Sequence, residues 1–368
     1  MIYLFNELIF FSLLFINMGN KQPKPLPTGL APRRSKGKIP VDNSKLSFPI
    51  LYEEFPKPPK FTLKKEHNLA EYDVKDVLVL KDGNILITTN NSQNMIVIFE
   101  KNTFIKIDSI SDSKEIVFDI AQLDNFNIAA LLSNGKIIIY SINTKQMTVL
   151  KEFKIVGGIM KKLLNNAIAC YSIKKNTSDI RIYDLTSLFD IKERAIDLTF
   201  DIKERVIDWD FLIHSVLQPN SNKDVLVVAH SIRIITFYNI KKYVKIEKDI
   251  QWKEDFISPL YELNDGRIII GGNATFMIIN CKTYQVECFY EDLFCFENSS
   301  FLQLKDKSLL IGTGLSNAGR FCLLGSNLKV IARQKRVHKE RIIYLSLIDD
   351  NTVLSFSLDK IVKIWSYK

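Results

Sequence analysis

The sequence predicts an all-β protein assembled from seven similar units, and three observations point that way. A motif of apolar run, Asp/Asn/Gly turn, apolar run, short polar loop and alternating strand recurs along the chain. The large residues that end the alternating strands are Phe99, Tyr140, Tyr183, Tyr238, Ile279, Leu324 and Trp365, at successive intervals of 41, 43, 55, 41, 45 and 41 residues. Beyond about residue 61 no stretch sustains a helical period, and only Pro219 and Pro259 remain of the prolines. A repeat of about 43 residues carrying four short strands is that of propeller blades. Each blade is a twisted antiparallel sheet too small to be stable alone. Its apolar faces are covered by neighbouring blades, which closes a ring. The expected architecture is a seven-bladed β-propeller of four-stranded antiparallel blades over residues 61–368, preceded by a disordered N-terminal tail.

The turns that separate the first two strands of each unit fall at Asp82-Gly83, Asp124-Asn125, Asn165-Asn166, Ser221-Asn222, Asp265-Gly266, Lys305-Asp306 and Asp349-Asp350. The interval of 55 has a visible cause. Residues 189–197 read FDIKERAID and residues 200–208 read FDIKERVID, an 11-residue tandem duplication that lengthens the outer strand or loop of the third unit. Such an insertion costs little, because loop-closure entropy grows only logarithmically with length. In the first unit the expected strands are Val74–Leu80, Ile85–Thr89, Met95–Phe99 and Phe104–Asp108. In the seventh they are Ile342–Leu347, Val353–Phe356 and Ile361–Ser366, after which the sequence ends one strand short of a blade. The spare segment Phe61–Leu69 is the candidate to complete it, leaving no open sheet edge at the seam.

The last unit, RVHKERIIYLSLIDDNTVLSFSLDKIVKIW, resembles a WD repeat. The resemblance implies a structural tetrad of His338, Ser355, Asp359 and Trp365, in which Asp orients the imidazole, the imidazole meets the serine hydroxyl, and the hydroxyl meets the indole N–H. Every buried polar atom of such a chain has a partner. The third unit retains Asp179 and places Tyr183 at the tryptophan position; the others lack most tetrad members. His67, ahead of a first strand, falls where the family often carries histidine. Repeat spacing, rather than motif identity, extends the resemblance over residues 61–368.

Ahead of the repeats lie two segments of other composition. Residues 1–17 are mostly apolar but interrupted by Asn6 and Glu7. They read as a mis-assigned start with translation from Met18, as a membrane anchor, or as a cleaved signal. A start at Met18 exposes Gly19, but Pro23 stands where myristoylation requires Ser or Thr. Residues 18–60 hold nine of the eleven prolines and read as a disordered tail. Its basic patch, Arg33, Arg34, Lys36 and Lys38, is a candidate for recruitment to an anionic membrane face, nucleic acid or an acidic partner, or is simply a solvated tail. The net charge of +9 is concentrated here: residues 18–65 carry 11 Lys/Arg against 3 Asp/Glu, whereas residues 66–368 carry 39 against 37. A near-neutral body argues against nucleic-acid binding, which needs a basic face on the folded domain.

Little in the chain points to chemistry. The five cysteines, Cys170, Cys281, Cys288, Cys295 and Cys322, form no C-x-x-C pair and read as free thiols in a reducing compartment. His214 and His230 lie on or beside strands with no ligand-spaced partner. The run Gly312-Thr313-Gly314-Leu315-Ser316-Asn317-Ala318-Gly319 looks like a phosphate loop, but a strand follows it where such a loop needs a helix. Carboxylates are read as scattered along loops. Trp209 and Trp252 read as packing residues or as exposed anchors. The expectation is a non-enzymatic, cytoplasmic, monomeric scaffold with no metal or cofactor, binding protein partners on its faces. The alternatives are a membrane-tethered adaptor held by residues 1–17 and an enzyme using the central channel.

Overall fold

The computed structural model describes residues 60–367, less 112–114, 153–157, 165–166, 174–177, 186–203, 210–212, 231–232, 243, 253–257, 273–274, 291–299 and 316–317. It is a ring of seven four-stranded antiparallel sheets. Blade 1 comprises β2 (Val74–Val79), β3 (Ile85–Thr89), β4 (Ile96–Phe99) and β5 (Lys106–Ile110), and blade 2 comprises β6 (Val117–Gln122), β7 (Asn127–Leu132), β8 (Lys136–Ser141) and β9 (Met147–Glu152). Blade 3 is built from β10 (Gly158–Lys162), β11 (Ala167–Ile173), β12 (Ser178–Asp184) and β13 (Glu204–Trp209). Blade 4 follows with β14 (Ile213–Leu217), β15 (Val225–His230), β16 (Ile234–Asn239) and β17 (Val244–Gln251). Blade 5 has β18 (Tyr261–Glu262), β19 (Arg267–Gly271), β20 (Phe276–Asn280) and β21 (Gln285–Tyr290). Blade 6 has β22 (Ser300–Gln303), β23 (Leu309–Leu315), β24 (Ala318–Leu324) and β25 (Val330–His338).

Blade 7 is made from both ends of the described chain. Its inner strands are β26 (Ile342–Asp349), β27 (Thr352–Ser357) and β28 (Ile361–Tyr367), and β1 (Phe61–Asn68) pairs antiparallel with β28 from Phe61↔Tyr367 to Asn68↔Ile361. The second strands are the most deeply buried, because each is flanked by strands in its own sheet and by sheets on both sides. In β3 and β15 every residue is buried. Alternate residues of a strand point to opposite neighbours, so seven apolar clusters fill the seams between blades. One of them joins Leu86, Ile96, Ile98 and Ile110 of blade 1 to Ile128, Ala130, Ile138 and Tyr140 of blade 2. At Gly83 and Gly266 the first turns of blades 1 and 5 run with φ +89° and +85°, a region open to glycine at no steric cost.

The duplicated segment enters the fold through its second copy. Residues 204–208 of that copy lie in β13, the outer strand of blade 3, in register with β12 as Tyr183↔Glu204 and Asp179↔Asp208. The first copy, the tail with Arg33, Arg34, Lys36 and Lys38, and residues 1–17 lie outside the described residues. Among the described residues no helix is long and apolar enough to cross a membrane.

Candidate functional site

The polar core of blade 7 begins with His338, the last residue of β25, which is buried on the way into β26. Its Nδ1 lies 3.3 Å from both carboxylate oxygens of Asp359, and its Nε2 lies 2.7 Å from Ser355 Oγ. The Trp365 indole N–H donates to the same oxygen over 2.9 Å. The consistent assignment is one directed chain: indole N–H to hydroxyl oxygen, hydroxyl hydrogen to Nε2, Nδ1–H to carboxylate. Asp359 also accepts the Lys339 amide at 2.9 Å and the Ile361 amide at 3.0 Å. Burial alone would raise its carboxyl, but His338 and these two amides hold it below the ordinary carboxylate range.

The glycines of the 312–319 run serve this approach. A Cβ on Gly319 would stand 2.8 Å from His338 Cβ and 2.3 Å from the Glu340 carbonyl oxygen; one on Gly312 would stand 2.3 Å from Ser300 Oγ and 2.9 Å from Ile342 Cγ2. The run belongs to the β23–β24 hairpin, which lets the His338–Ile342 connection lie against it.

The other six blades replace the hydroxyl at the Ser355 position. Ser355 lies two residues beyond Val353, the partner of Trp365. The same register in blades 1 to 6 selects Ile87, Ala130, Cys170, Val228, Ile270 and Ile311, all buried. With no hydroxyl there, a matching histidine has nothing to meet. Accordingly, the place of His338 in the chain trace, opposite Gly319, is held ahead of blade 1 by buried Leu69, whose amide bonds the Lys360 carbonyl at 2.9 Å. His67 lies two residues earlier, within β1, its ring stacked on Phe104 at 3.9 Å. Its Nε2 is buried without a hydrogen-bond partner, and burial followed by the nearby Lys65 charge lowers its pKa. His67, expected from sequence as the counterpart of His338, thus lies two residues short of the matching place, which Leu69 holds.

A second set of polar groups, which sequence reading missed, ties neighbouring blades together. Gln122 Oε1 accepts the Lys81 amide (2.9 Å), Gln218 Oε1 the Leu164 amide (2.6 Å) and Gln303 Oε1 the Asn264 amide (2.6 Å). Glu262 accepts the Asn220 and Ser221 amides at 2.7 and 2.9 Å, and Lys162 Nζ donates to the Leu123 carbonyl. Each of these side chains stands at or just beyond the end of an innermost strand and reaches the first turn of the preceding blade. In blades 1 and 7 the equivalent positions are Val79 and Leu347; there the Tyr344 hydroxyl accepts the Val79 amide at 3.0 Å and Lys305 pairs with Asp350 at 2.5 Å. The signal was present: a polar side chain two or three residues before the first turn residue, repeated in five units.

The innermost strands carry titratable groups. Asp76 and Asp119 lie on β2 and β6, 43 residues apart and so one repeat apart, which corrects the expectation that the carboxylates are loop residues. Asp119 accepts the amides of Ile120 and, across the seam, Met160, both at 2.8 Å. Lys75 Nζ donates to the Val117 and Phe118 carbonyls at 2.7 Å each and lies 5.0 Å from the Phe118 ring centre. Asp76 accepts the Val77 amide at 2.8 Å, and its carboxyl is pushed up to about 6 by burial and then by Asp119, against the pull of Lys161 and Lys75. Between blades 4 and 5 the His214 Nε2 meets the Ser258 carbonyl at 3.0 Å, and Ser215 Oγ accepts the Leu260 amide at 3.1 Å. His230 is buried in blade 4, and that burial lowers its imidazole to about 4. Trp252 is buried in the seam between blades 4 and 5 with Val225, Leu260 and Met277. Trp209 lies in β13.

No family model matches the chain, and neither does any curated protein. Among solved structures the chain is similar to one from the "Crystal Structure of Mitotic Checkpoint Complex", with a TM-score of 0.63 and 10% sequence identity, covering 88% of this chain and 97% of that one. At that identity the likeness speaks for the propeller fold alone.

Proposed function

We propose that the chain is a diverged WD-repeat propeller that acts as a non-catalytic scaffold for other proteins. The carrying observation is the employment of the polar groups of the innermost strands. Lys75, Asp119, Ser215 and His214 all bond main-chain groups of the neighbouring blade, and Asp119 in addition lies 4.0 Å from Lys161 Nζ. Groups used in that way rigidify the ring rather than wait for a substrate. A rigid ring holds several peptides or domains at fixed relative positions, with binding energy drawn from a few anchors on its faces. A chain of the same fold has been crystallised as part of a protein complex, a use with which this reading is consistent. In this proposal the protein is cytoplasmic, and Arg33, Arg34, Lys36 and Lys38 add electrostatic recruitment to an acidic partner or an anionic membrane face.

Affinity purification of the full chain from its native cells, followed by size-exclusion chromatography, tests the proposal. Co-elution with stoichiometric protein partners is expected. A chain that elutes alone across buffers and concentrations would contradict the scaffold reading. If the tail recruits electrostatically, raising salt releases the protein from its location; salt-insensitive localisation would count against that part.

A further inference from the structure

The propeller's positive charge is gathered on one part of its rim. Residues 60–68 and 329–339, which contain the outer strands of blades 7 and 6, hold eight Lys/Arg and one Glu, while the remaining residues from 69 to 368 hold 34 Lys/Arg and 36 Asp/Glu. The single acid, Glu66, is paired with Lys363 at 3.0 Å. On β25 the side chains of Arg333, Lys335 and Arg336 are exposed, and β25 carries no carboxylate. Between these two outer strands lies a pocket of about 360 Å³, at the small end of the range for ligand sites. Its floor is Phe61, Phe321, Leu323 and Ala332, and its lip includes Lys60 and Arg333. Leu63, two residues beyond Phe61 on β1, is 43% exposed and extends the apolar surface. An apolar pocket with a cationic lip fits a short acidic segment bearing large apolar side chains.

The chain itself contains such a segment close by. Leu51-Tyr52-Glu53-Glu54-Phe55 holds two of the three acidic residues of the 18–65 stretch, flanked by three large apolar ones, and only Pro56-Lys57-Pro58-Pro59 separates it from Lys60 on the pocket's lip. An extended proline-rich linker of four residues spans about 12 Å at roughly 3.1 Å per residue. That tether keeps the segment beside the seam of blades 6 and 7 at high effective concentration and away from the far blades. We propose that residues 51–55 occupy this rim pocket in cis, with Phe55 or Leu51 in the apolar floor and Glu53-Glu54 against the cations of β25. The surface is then a docking site for acidic, apolar-anchored peptides that is self-covered until a competitor of the same chemistry displaces the segment. This inference is independent of the scaffold reading, since it concerns a contact within one chain.

Zero-length carbodiimide cross-linking of the full chain, read by peptide mass spectrometry, tests it. Glu53 or Glu54 is expected to couple to Lys335 and Lys329 in preference to Lys241 and Lys242 on blade 4. The yield should fall several-fold when salt rises from about 0.1 to about 1 M, where the Debye length shrinks from about 10 to 3 Å. The double variant Leu51→Ser/Phe55→Ser keeps both glutamates and the tether, and it should lose the β25 cross-links. Cross-links unchanged in that variant would reduce the contact to tethered proximity and overturn the proposal. Equal yields at the blade 4 lysines would also overturn it. So would cross-links only between light and heavy copies in an isotope mixture, which would assign the pocket to a second molecule.

Discussion

Blades 7 and 2 solve the same problem by opposite means. In blade 7 the buried position two residues beyond the partner of the closing tryptophan is a serine, and a chain of three hydrogen bonds runs from Trp365 through Ser355 and His338 to Asp359. In blade 2 the matching position is Ala130, and the strand is buried among aliphatic side chains of blades 1 and 2. Apolar burial is sufficient to hold a blade whose strands are consecutive in sequence. Blade 7 is different because its outer strand is recruited from the other end of the fold, with Phe61 opposite Tyr367. Closing a loop that spans the whole ring carries the largest chain-entropy cost in the molecule. A directional polar network that specifies one arrangement is placed at that seam.

The difference can be broken in several ways. Trp365→Ala should have the largest effect, removing a buried aromatic of the seam between blades 6 and 7 and the indole donor to Ser355, at a cost of about 3–5 kcal/mol in urea unfolding. Ser355→Ala leaves the Trp365 N–H and the His338 Nε2 without their shared partner and should cost about 1–3 kcal/mol. The mirror change, Ala130→Ser, puts a hydroxyl where blade 2 has only apolar neighbours; it should also destabilise by about 1–3 kcal/mol rather than create a second network. If the serine stabilised blade 2, position-specific networks would not be what separates the blades.

Smaller effects sharpen the picture. Gln303→Ala and Gln218→Ala each remove one tie between blades and should each cost about 1 kcal/mol, adding nearly independently because they lie on different seams. A change of another kind is a pH slope at the innermost strands. Asp76 titrates near 6 in the fold and near the ordinary 3.8 when unfolded, so the folded state binds more protons between those values. Its contribution to stability is present below about 3.8 and is lost as pH rises through 6; Asp76→Asn should remove that slope and raise the unfolding midpoint above pH 6. His230 runs the other way: with its imidazole at about 4 in the fold against 6.5 outside, it contributes stability above 6.5 that is lost as pH falls toward 4. Unfolding curves at intervals from pH 4 to 7.5 for Asp76→Asn and a His230→Leu variant separate the two slopes.

The ring was legible because its cause is periodic. Burial on both faces of every second strand forces runs such as Ile85–Thr89 and Val225–His230, and the turns between strands repeat with them. Closure of blade 7 by the segment starting at Phe61 was legible too, since a three-stranded last unit and a spare strand ahead of the first complement each other. What sequence hid was contact across seams. Asp119 reaches the amide of Met160, 41 residues away, and nothing local in VFDIAQ marks that carboxylate as structural. Likewise Leu69 rather than His67 takes the place of His338, because a turn at Ala70–Tyr72 intervenes before β2 and shifts the spacing. The glycines of the 312–319 run are explained only once the His338 connection is seen packed against them.

The most direct test of the seam account is native-state hydrogen exchange on the full chain and its Ser355→Ala variant. The account predicts that amides of β1, β26, β27 and β28 lose protection together while those of β7 and β15 keep theirs. Protection lost equally in all blades, or unchanged in β1, would contradict the claim that the polar network is what locks the ring shut.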